Sequence, residues 1–379
     1  MHLPGIIIGG GIAGLTAAVA LRQRGIAVRV CEAAPQILPL GAGIWMAPNA
    51  MQVFHRLGLA AQINAAGVPL RAIRVVDAQM RPILGTDQDR IRQKFGYTTT
   101  AIRRARLQAL LLAEIPPADV LLGKTYASLT ETPDGVTVAF ADGSTLQAGF
   151  VAAADGIHSP IRAQLFPEVQ FVSTGHVVWR GMSTIELAPT FKQSILEAWG
   201  QGVRFGFSEV ADGLVDWFVV VPAHLAANRH ELKARLQATF QDFAYPVPAI
   251  LAATDEARII RNEIADCDPI PRWSRGKVCL VGDAAHAATP YMGQGGCQAV
   301  EDAYALAHCL HQAPTVEAAF AALHRLRHAR ATRIVLTSRL LGQVGYWTSA
   351  AGAIRNFIMR ATPTRLIERQ FDQVYTLNY

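Results

Sequence analysis

The chain opens with a short apolar run, Gly5 to Ile8, followed by close-set glycines and a small-residue stretch from Ala13 to Arg22. That order predicts a buried strand, a tight turn and a helix. Gly25 ends the helix, and Ala27 to Cys31 predicts a second strand finishing at Glu32. Further helices are predicted from Asn49 to Leu57, closed by Gly58, and from Leu107 to Glu114. From Val136 the period changes. Val136, Val138 and Phe140 alternate with Thr137 and Ala139, Asp142-Gly143 offers a turn, and Leu146 to Ala154 reads as the returning strand. Residues 172–222 are strand-like, with three tryptophans and an Asp212-Gly213 turn. Leu232, Leu236 and Phe240 then fall at helical spacing. A strand returns at Lys277 to Val281, and a long helix starts near Gln294. The tail is helical, with Leu336, Leu340 and Val344 on one face.

The α/β parts therefore flank a sheet-rich insertion. The predicted division is a discontinuous nucleotide-type domain (1–70, 98–171 and 272–330), a β-sheet substrate domain (71–97 and 172–271) and a C-terminal helical region (331–379). With 51% hydrophobic and 17% charged residues, the 379-residue chain has ample apolar surface for real cores. The net charge of +6 suits polyanionic or acidic ligands. The basic residues form no dense run and no nucleic-acid module, so no nucleic-acid partner is expected. Five scattered cysteines make no CxxC pair and no metal-ligand spacing, as in a reduced compartment. The apolar N-terminus lacks the basic flank of a signal peptide, and no apolar run has the length of a membrane span. The expectation is a cytoplasmic protein without a metal.

Gly9-x-Gly11-x-x-Gly14 stands between strand and helix, where a dinucleotide fingerprint must be. Gly9 permits the turn, Gly11 lets the backbone approach a pyrophosphate, and Gly14 lets helix and strand pack closely. The phosphates then meet free N–H groups at the positive helix end, formed by Ile12 and Ala13. Glu32, eighteen residues beyond Gly14 and followed by Ala33, is placed to accept bonds from ribose hydroxyls. This much leaves NAD and FAD unseparated.

Motifs further along make the separation. Ala154-Asp155-Gly156 through Arg162 resembles the DG motif of the class A flavoprotein aromatic monooxygenases. Gly282-Asp283 through Pro290 and the loop Gly293-Gln294-Gly295-Gly296 resembles that family's GD motif and its following glycines. Ile102 to Gln108 resembles its segment with an FAD-binding arginine, here Arg104. Gly41-Ala42-Gly43-Ile44 and Pro48-Asn49-Ala50 resemble the loop beside the isoalloxazine ring. The tail is similar to that of the salicylate hydroxylase, urate hydroxylase and zeaxanthin epoxidase-like group.

The resemblance implies an α/β fold: a Rossmann-like FAD-binding domain of the GR2 type, as in p-hydroxybenzoate hydroxylase, with an inserted mostly-β substrate domain and C-terminal helices. It implies resident FAD, transient NAD(P)H, and O2 attack through a C4a-hydroperoxyflavin on an aromatic, heteroaromatic or other electron-rich small molecule, by hydroxylation or epoxidation. The absence of a second dinucleotide fingerprint agrees with a nicotinamide that binds only briefly. By the same resemblance Arg104 and Gln108 reach the phosphates and ribityl chain, and Asp283 accepts from ribityl hydroxyls. The Gly293–Gly296 N–H groups face the pyrimidine edge, with Pro290 stiffening their approach. Asp155 and Arg162 are expected to form an ion pair steadying these loops. A monomer and a homodimer are both compatible. A flavin-dependent reductase of the same fold, or a non-catalytic redox-sensing FAD protein, are the alternative functions.

No catalytic side chain stands out, because the flavin carries this chemistry. Three weak candidates remain. His286 is open to acid–base work or to fixing its loop by hydrogen bonds. Arg180 and Arg204 each read equally as a clamp for an acidic or enolate-like substrate and as a surface arginine. Cys297 reads as a small packed residue, and Trp179, Trp199 and Trp217 as sheet core.

Overall fold

The computed structural model describes residues 3–37, 42–225, 231–377 and 379. The expected strand, turn and helix at the N-terminus are β1 (Gly5–Ile8) and α1 (Ile12–Arg22), followed by β2 (Val28–Cys31). β1 is buried along its whole length, as a parallel strand covered on both faces must be. It is central in a six-stranded sheet, between β2 and the strand Val151–Ala153. Val278–Leu280 pairs in parallel beyond that strand, and Val120–Leu121 beyond β2. Ser274–Arg275 closes one edge antiparallel. α1 packs against the helices Arg104–Ala113 and Gly295–Gln312, so its buried face is nearly all small or aliphatic.

The strand expected over Leu146 to Ala154 is in fact two. Thr145–Ala148 pairs back on Gly135–Phe140 as a hairpin, whereas Val151–Ala153 enters the parallel sheet. The handover occurs at Gly149, whose N–H bonds Pro4 and where a Cβ would meet the Leu3 carbonyl oxygen at 2.8 Å.

The second sheet has seven strands, in the order Ile260–Cys267, Phe171–Thr184, Leu214–Pro222, Arg204–Ala211, Ser194–Trp199, Ala72–Asp77 and Pro82–Asp87. Alternation divides its faces. Trp179, Phe205, Phe207, Trp217 and Val219 pack with the helices Leu232–Thr239 and Val247–Ala252 into a separate core. Val178, Arg180, Ser208, Asp216, Phe218 and Arg204 look the other way, toward the first sheet's loops. Between the two sheets lies β3 (Gly43–Met46), paired with Thr100–Arg103 and leading into α2 (Pro48–Arg56).

The tail is helical, over Val316–Gly345, Ser349–Ala361 and Thr364–Tyr375. The first of these buries Phe320, Leu323, Arg327, Ala331, Ile334, Val335 and Ser338. Leu336 and Leu340, read from sequence as sharing one helical face, are exposed at 48% and 58%. The inward face mixes aliphatic, aromatic and small residues with Arg327, whose partners lie on another helix. Among the described residues no helix is long and apolar enough to cross a membrane, and no cluster of His, Cys, Asp or Glu is placed to hold a metal.

Candidate functional site

The loop after β1 lies over the C-terminal ends of the parallel strands, where open α/β sheets place their ligands. Gly9 has φ +109°, and a Cβ on it would stand 2.3 Å from the Ala154 carbonyl oxygen. A Cβ on Gly14 would stand 2.0 Å from the Gly9 carbonyl oxygen, so helix and strand meet only through glycine. At Gly11 a Cβ would meet nothing within 4 Å. Gly11 also caps α1 without a side-chain bond, and the first turn holds no acid. The first N–H groups of α1 therefore have no side-chain cap at the positive end of the helix.

The other expected residues gather around this loop. Glu32 accepts from Gly10 N–H at 2.6 Å and from Ala34 N–H at 2.9 Å, bracing the turn beside the exposed Ala33. Gln108 Nε2 donates to the Gly10 carbonyl at 2.7 Å. Arg104, one helical turn earlier, is exposed and acts electrostatically on the Asp283 carboxylate. Asp283 is itself exposed at the start of a helical turn; nearby protein holds its carboxyl above the usual range, against the pull of His286 and Arg104. Gly282 has φ +60° and packs where a Cβ would touch Ala13, while Ile12 is buried in the core. The site of a Cβ on Gly295 lies 3.9 Å from Asp283 Oδ1; on Gly296, 2.9 Å from Ile44. Gly293, at φ +60° after the turn Pro290–Met292, sits against the Trp45 ring, and Gln294 is buried. Gly41 lies outside the described residues.

Asp155 and Arg162 do not form the expected ion pair. Arg162 is buried, and its guanidinium donates to the carbonyls of Ile157, Asp283 (3.2 Å) and Ala284 (3.1 Å), tying the two downstream motifs together. Asp155 instead accepts from Ile161 N–H at 3.3 Å, and its Oδ1 is buried without a partner. Burial raises its pKa. Gly156, at φ +82°, has open space where a Cβ would stand.

His286 is buried with Nε2 2.5 Å from Asp302 Oδ2, which also accepts from Gly282 N–H at 3.0 Å. Of its two readings, this geometry is the loop-fixing one. Asp302 Oδ1 accepts from Arg327 Nε at 2.8 Å, and Arg327 reaches Glu301 and Gln298. Asn49 at the start of α2 donates to Glu301 at 2.5 Å and Gln294 at 3.0 Å. A fully buried ionic network thus runs behind the Gly282 turn and the Gly293–Gly296 loop. Sequence reading missed it, although adjacent carboxylates inside the apolar run Ala299 to Ala307 were a usable signal.

The two arginines part company. Arg204 is not at the surface: it is 2% exposed, bonded to Glu197 at 3.3 Å and to the carbonyls of Leu341 and Gly342, and boxed by Trp199, Tyr291 and Tyr346. Its donors are directed into the protein. Arg180 is 33% exposed; Nη2 donates to Asp216 at 3.0 Å and to the Gly43 carbonyl at 2.7 Å, while Nε is buried and unpartnered. Asp216, missed from sequence, also accepts from Gly43 N–H at 2.7 Å. Together they fasten β3 to the second sheet. Trp45 Nε1 adds a bond to Ser208 at 2.9 Å, and its ring lies 5.9 Å from Phe218. Cys297 is packed, donating to the Trp45 carbonyl; burial pushes its thiol up to about 12.

The arrangement fits a dinucleotide with a polyol chain. It offers an open glycine cradle on a free helix end, an exposed carboxylate at Asp283, an unpartnered carboxylate oxygen on Asp155, and a glycine loop set against the Trp45 ring.

Known proteins bear on this geometry. The family described as FAD binding domain matches residues 2–338. The chain is 36% identical over 357 residues to an aurachin C monooxygenase/isomerase of Stigmatella aurantiaca, covering 94% of this chain and 93% of that protein. It is 35% identical over 350 residues to an FAD-dependent urate hydroxylase of Klebsiella pneumoniae, covering 88% of each. The crystal structure of Klebsiella pneumoniae HpxO complexed with FAD and uric acid superposes with a TM-score of 0.90 at 32% identity, covering 98% of this chain and 96% of that one.

Proposed function

Since the chain belongs to the FAD binding domain family and is a class A flavoprotein monooxygenase, we propose that it takes electrons from NAD(P)H and inserts one atom of O2 into an electron-rich aromatic or heteroaromatic small molecule. The second oxygen atom leaves as water, and NAD(P)H supplies the two electrons that this balance requires. The named activities of the relatives, on urate and on aurachin C, support a ring substrate.

What supports the residue assignments is the open Gly11 cradle, with the partnerless Asp155 oxygen on the residue whose N lies beside Gly9 and the exposed Asp283 carboxylate beside Gly295. Gly11 and the first N–H groups of α1 hold the pyrophosphate, and Glu32 takes the ribose. Arg104, Gln108 and Asp283 line the path of the ribityl chain. The Gly293–Gly296 backbone stands at the pyrimidine edge, where its N–H groups and the following helix favour negative charge. Bound there, FAD supplies the electron storage and oxygen activation that no side chain provides.

The substrate then lies against the second sheet, where Trp45, Phe218, Val178, Val220 and Tyr291 form apolar and aromatic walls. Such walls exclude water from the reacting centre. Arg180, one-third exposed on this face, is the cation that orients an anionic or enolate-like substituent.

The test is a screen of phenols and nitrogen heterocycles for stimulated NADH or NADPH oxidation, with product mass read in parallel. A substrate whose product gains one oxygen atom is expected. Flavin that no nicotinamide reduces, with any member of the panel present, would overturn the proposal.

A further inference from the structure

We propose that the outward face of the helices Val316–Gly345 and Ser349–Ala361 docks on anionic lipid bilayers. Seven of the thirteen large apolar side chains exposed among the described residues lie on these two helices and the turn between them, so this region is unlike the rest of the surface. On the first helix Arg325, Ala329, Arg333, Leu336 and Leu340 are all exposed and follow one another at helical spacing, cations first and leucines after. On the second, Ile354, Phe357 and Ile358 are exposed at 59%, 73% and 57%, while Gly352 and Arg355 face inward. Trp347 is exposed between the helices. Aromatic and aliphatic side chains on one face, with arginines alongside, are what an interfacial helix presents to lipid.

The charge pattern selects the occupant. From residue 318 to residue 367 the sequence has eight arginines, no lysine and no carboxylate. Four of these arginines turn inward: Arg327, Arg330 and Arg339 to carboxylates, and Arg355 to backbone carbonyls. Arg325 and Arg333 remain exposed beside the leucines, and Arg360, at 45% exposure, stands three residues from Phe357 and shares Asp77 with Arg81. A two-fold contact between copies would set this face against itself, bringing arginine to arginine with no acid from the same helices to pair them. An anionic head-group layer meets the same cations favourably while the apolar side chains enter the acyl boundary.

The experiment uses the FAD-loaded full chain, sedimented with vesicles of phosphatidylcholine alone or mixed with phosphatidylglycerol. Cosedimentation with the mixed vesicles is expected, weakening as salt rises. The double variant Ile354→Ser, Phe357→Ser should reduce it by about tenfold or more, with its flavin absorbance and melting temperature unchanged. Protein that stays in the supernatant with both vesicle types overturns the proposal. So does equal binding to both types with no salt dependence. A wild-type dimer that the double variant splits into monomers, without lipid binding, gives the face to a second copy and overturns it too.

Discussion

Nη2 of Arg204 lies 1.1 Å from the point where a Cβ on Gly345 would stand, so the last turn of the helix Val316–Gly345 leaves room for the guanidinium only as glycine. The guanidinium cannot step aside freely, because Glu197, two carbonyls and three aromatic rings hold it. Gly345→Ala should therefore destabilise the protein by about 2–3 kcal/mol, the usual cost of overpacking a filled site. Urea unfolding checks this: the midpoint should fall with an unchanged slope. An unshifted midpoint would mean that Arg204 has another place to go.

Gly11 and Gly14 separate cofactor binding from folding. Gly11→Ala meets open space at φ −77°, so the apoprotein should keep its stability to within about 0.5 kcal/mol. Its Cβ would fill the phosphate cradle, and FAD affinity should drop by about tenfold or more. Gly14→Ala forces a Cβ to 2.0 Å from the Gly9 carbonyl and should lower the melting temperature of the apoprotein itself. Apoprotein melting curves with FAD fluorescence titrations distinguish the two. Equal loss of stability in both variants would sink the assignment of Gly11.

His286 and Asp302 should shape the pH dependence of stability from opposite ends. Burial alone would lower the His286 pKa, but the charge and hydrogen bond of Asp302 hold it above its ordinary 6.5. That contribution is complete below pH 6.5 and is lost as pH rises through the folded value. Against the cost of burial, His286 and Arg327 hold Asp302 at about 2, below its ordinary 3.8. Its contribution is complete above 3.8 and is lost as pH falls toward 2. His286→Asn should thus remove the decline above pH 6.5 and spare much of the acid limb, because Arg327 remains. Unfolding free energies measured across pH read this directly; parallel curves for variant and wild type would contradict it.

Asp216→Ala should cost about 2–4 kcal/mol, since it strips a buried acceptor from Gly43 and leaves Arg180 unpaired. The figure lies below that for a fully buried pair because water reaches Arg180. Loosening β3 also shifts Trp45, so the fraction of NAD(P)H consumption that yields oxygenated product should fall. Product per nicotinamide, measured against oxygen uptake, tests the second part. A variant as well coupled as wild type would confine Asp216 to stability.

What could be read from sequence was local. Gly9, Gly11 and Gly14, Asp155-Gly156 and Gly282-Asp283 stand in runs whose neighbours dictate strand, turn and helix, and the fold places those elements as expected. Contacts between distant segments were not legible. Asp216 meets Gly43 across 173 positions, and Arg327 meets Asp302 from another helix; no periodicity encodes either. Arg162 and Asp155 sit close enough in sequence to suggest a pair, yet the guanidinium is taken by carbonyls more than a hundred residues away. Leu336 and Leu340 gave a correct helix and no more, because periodicity reports that a face exists and not what it meets.

The order of strands in the first sheet also bears on how the chain is made. β1 is made well before one of its neighbours, Val151–Ala153, and before the strand beyond that, Val278–Leu280. α1 waits longer still, for Gly295–Gln312. β1 can pair early with β2, and α1 with the helix Arg104–Ala113. The other edge of β1 and the rest of the buried face of α1 must wait for these later segments, since contacts so far apart close late. The hairpin Gly135–Ala148 and the consecutive strands from Phe171 to Pro222 have near neighbours and can form while synthesis continues. Nascent chains stalled before residue 280 should accordingly be protease-resistant in the second sheet and more open at β1 and α1, the reverse of the order in which these segments are synthesised.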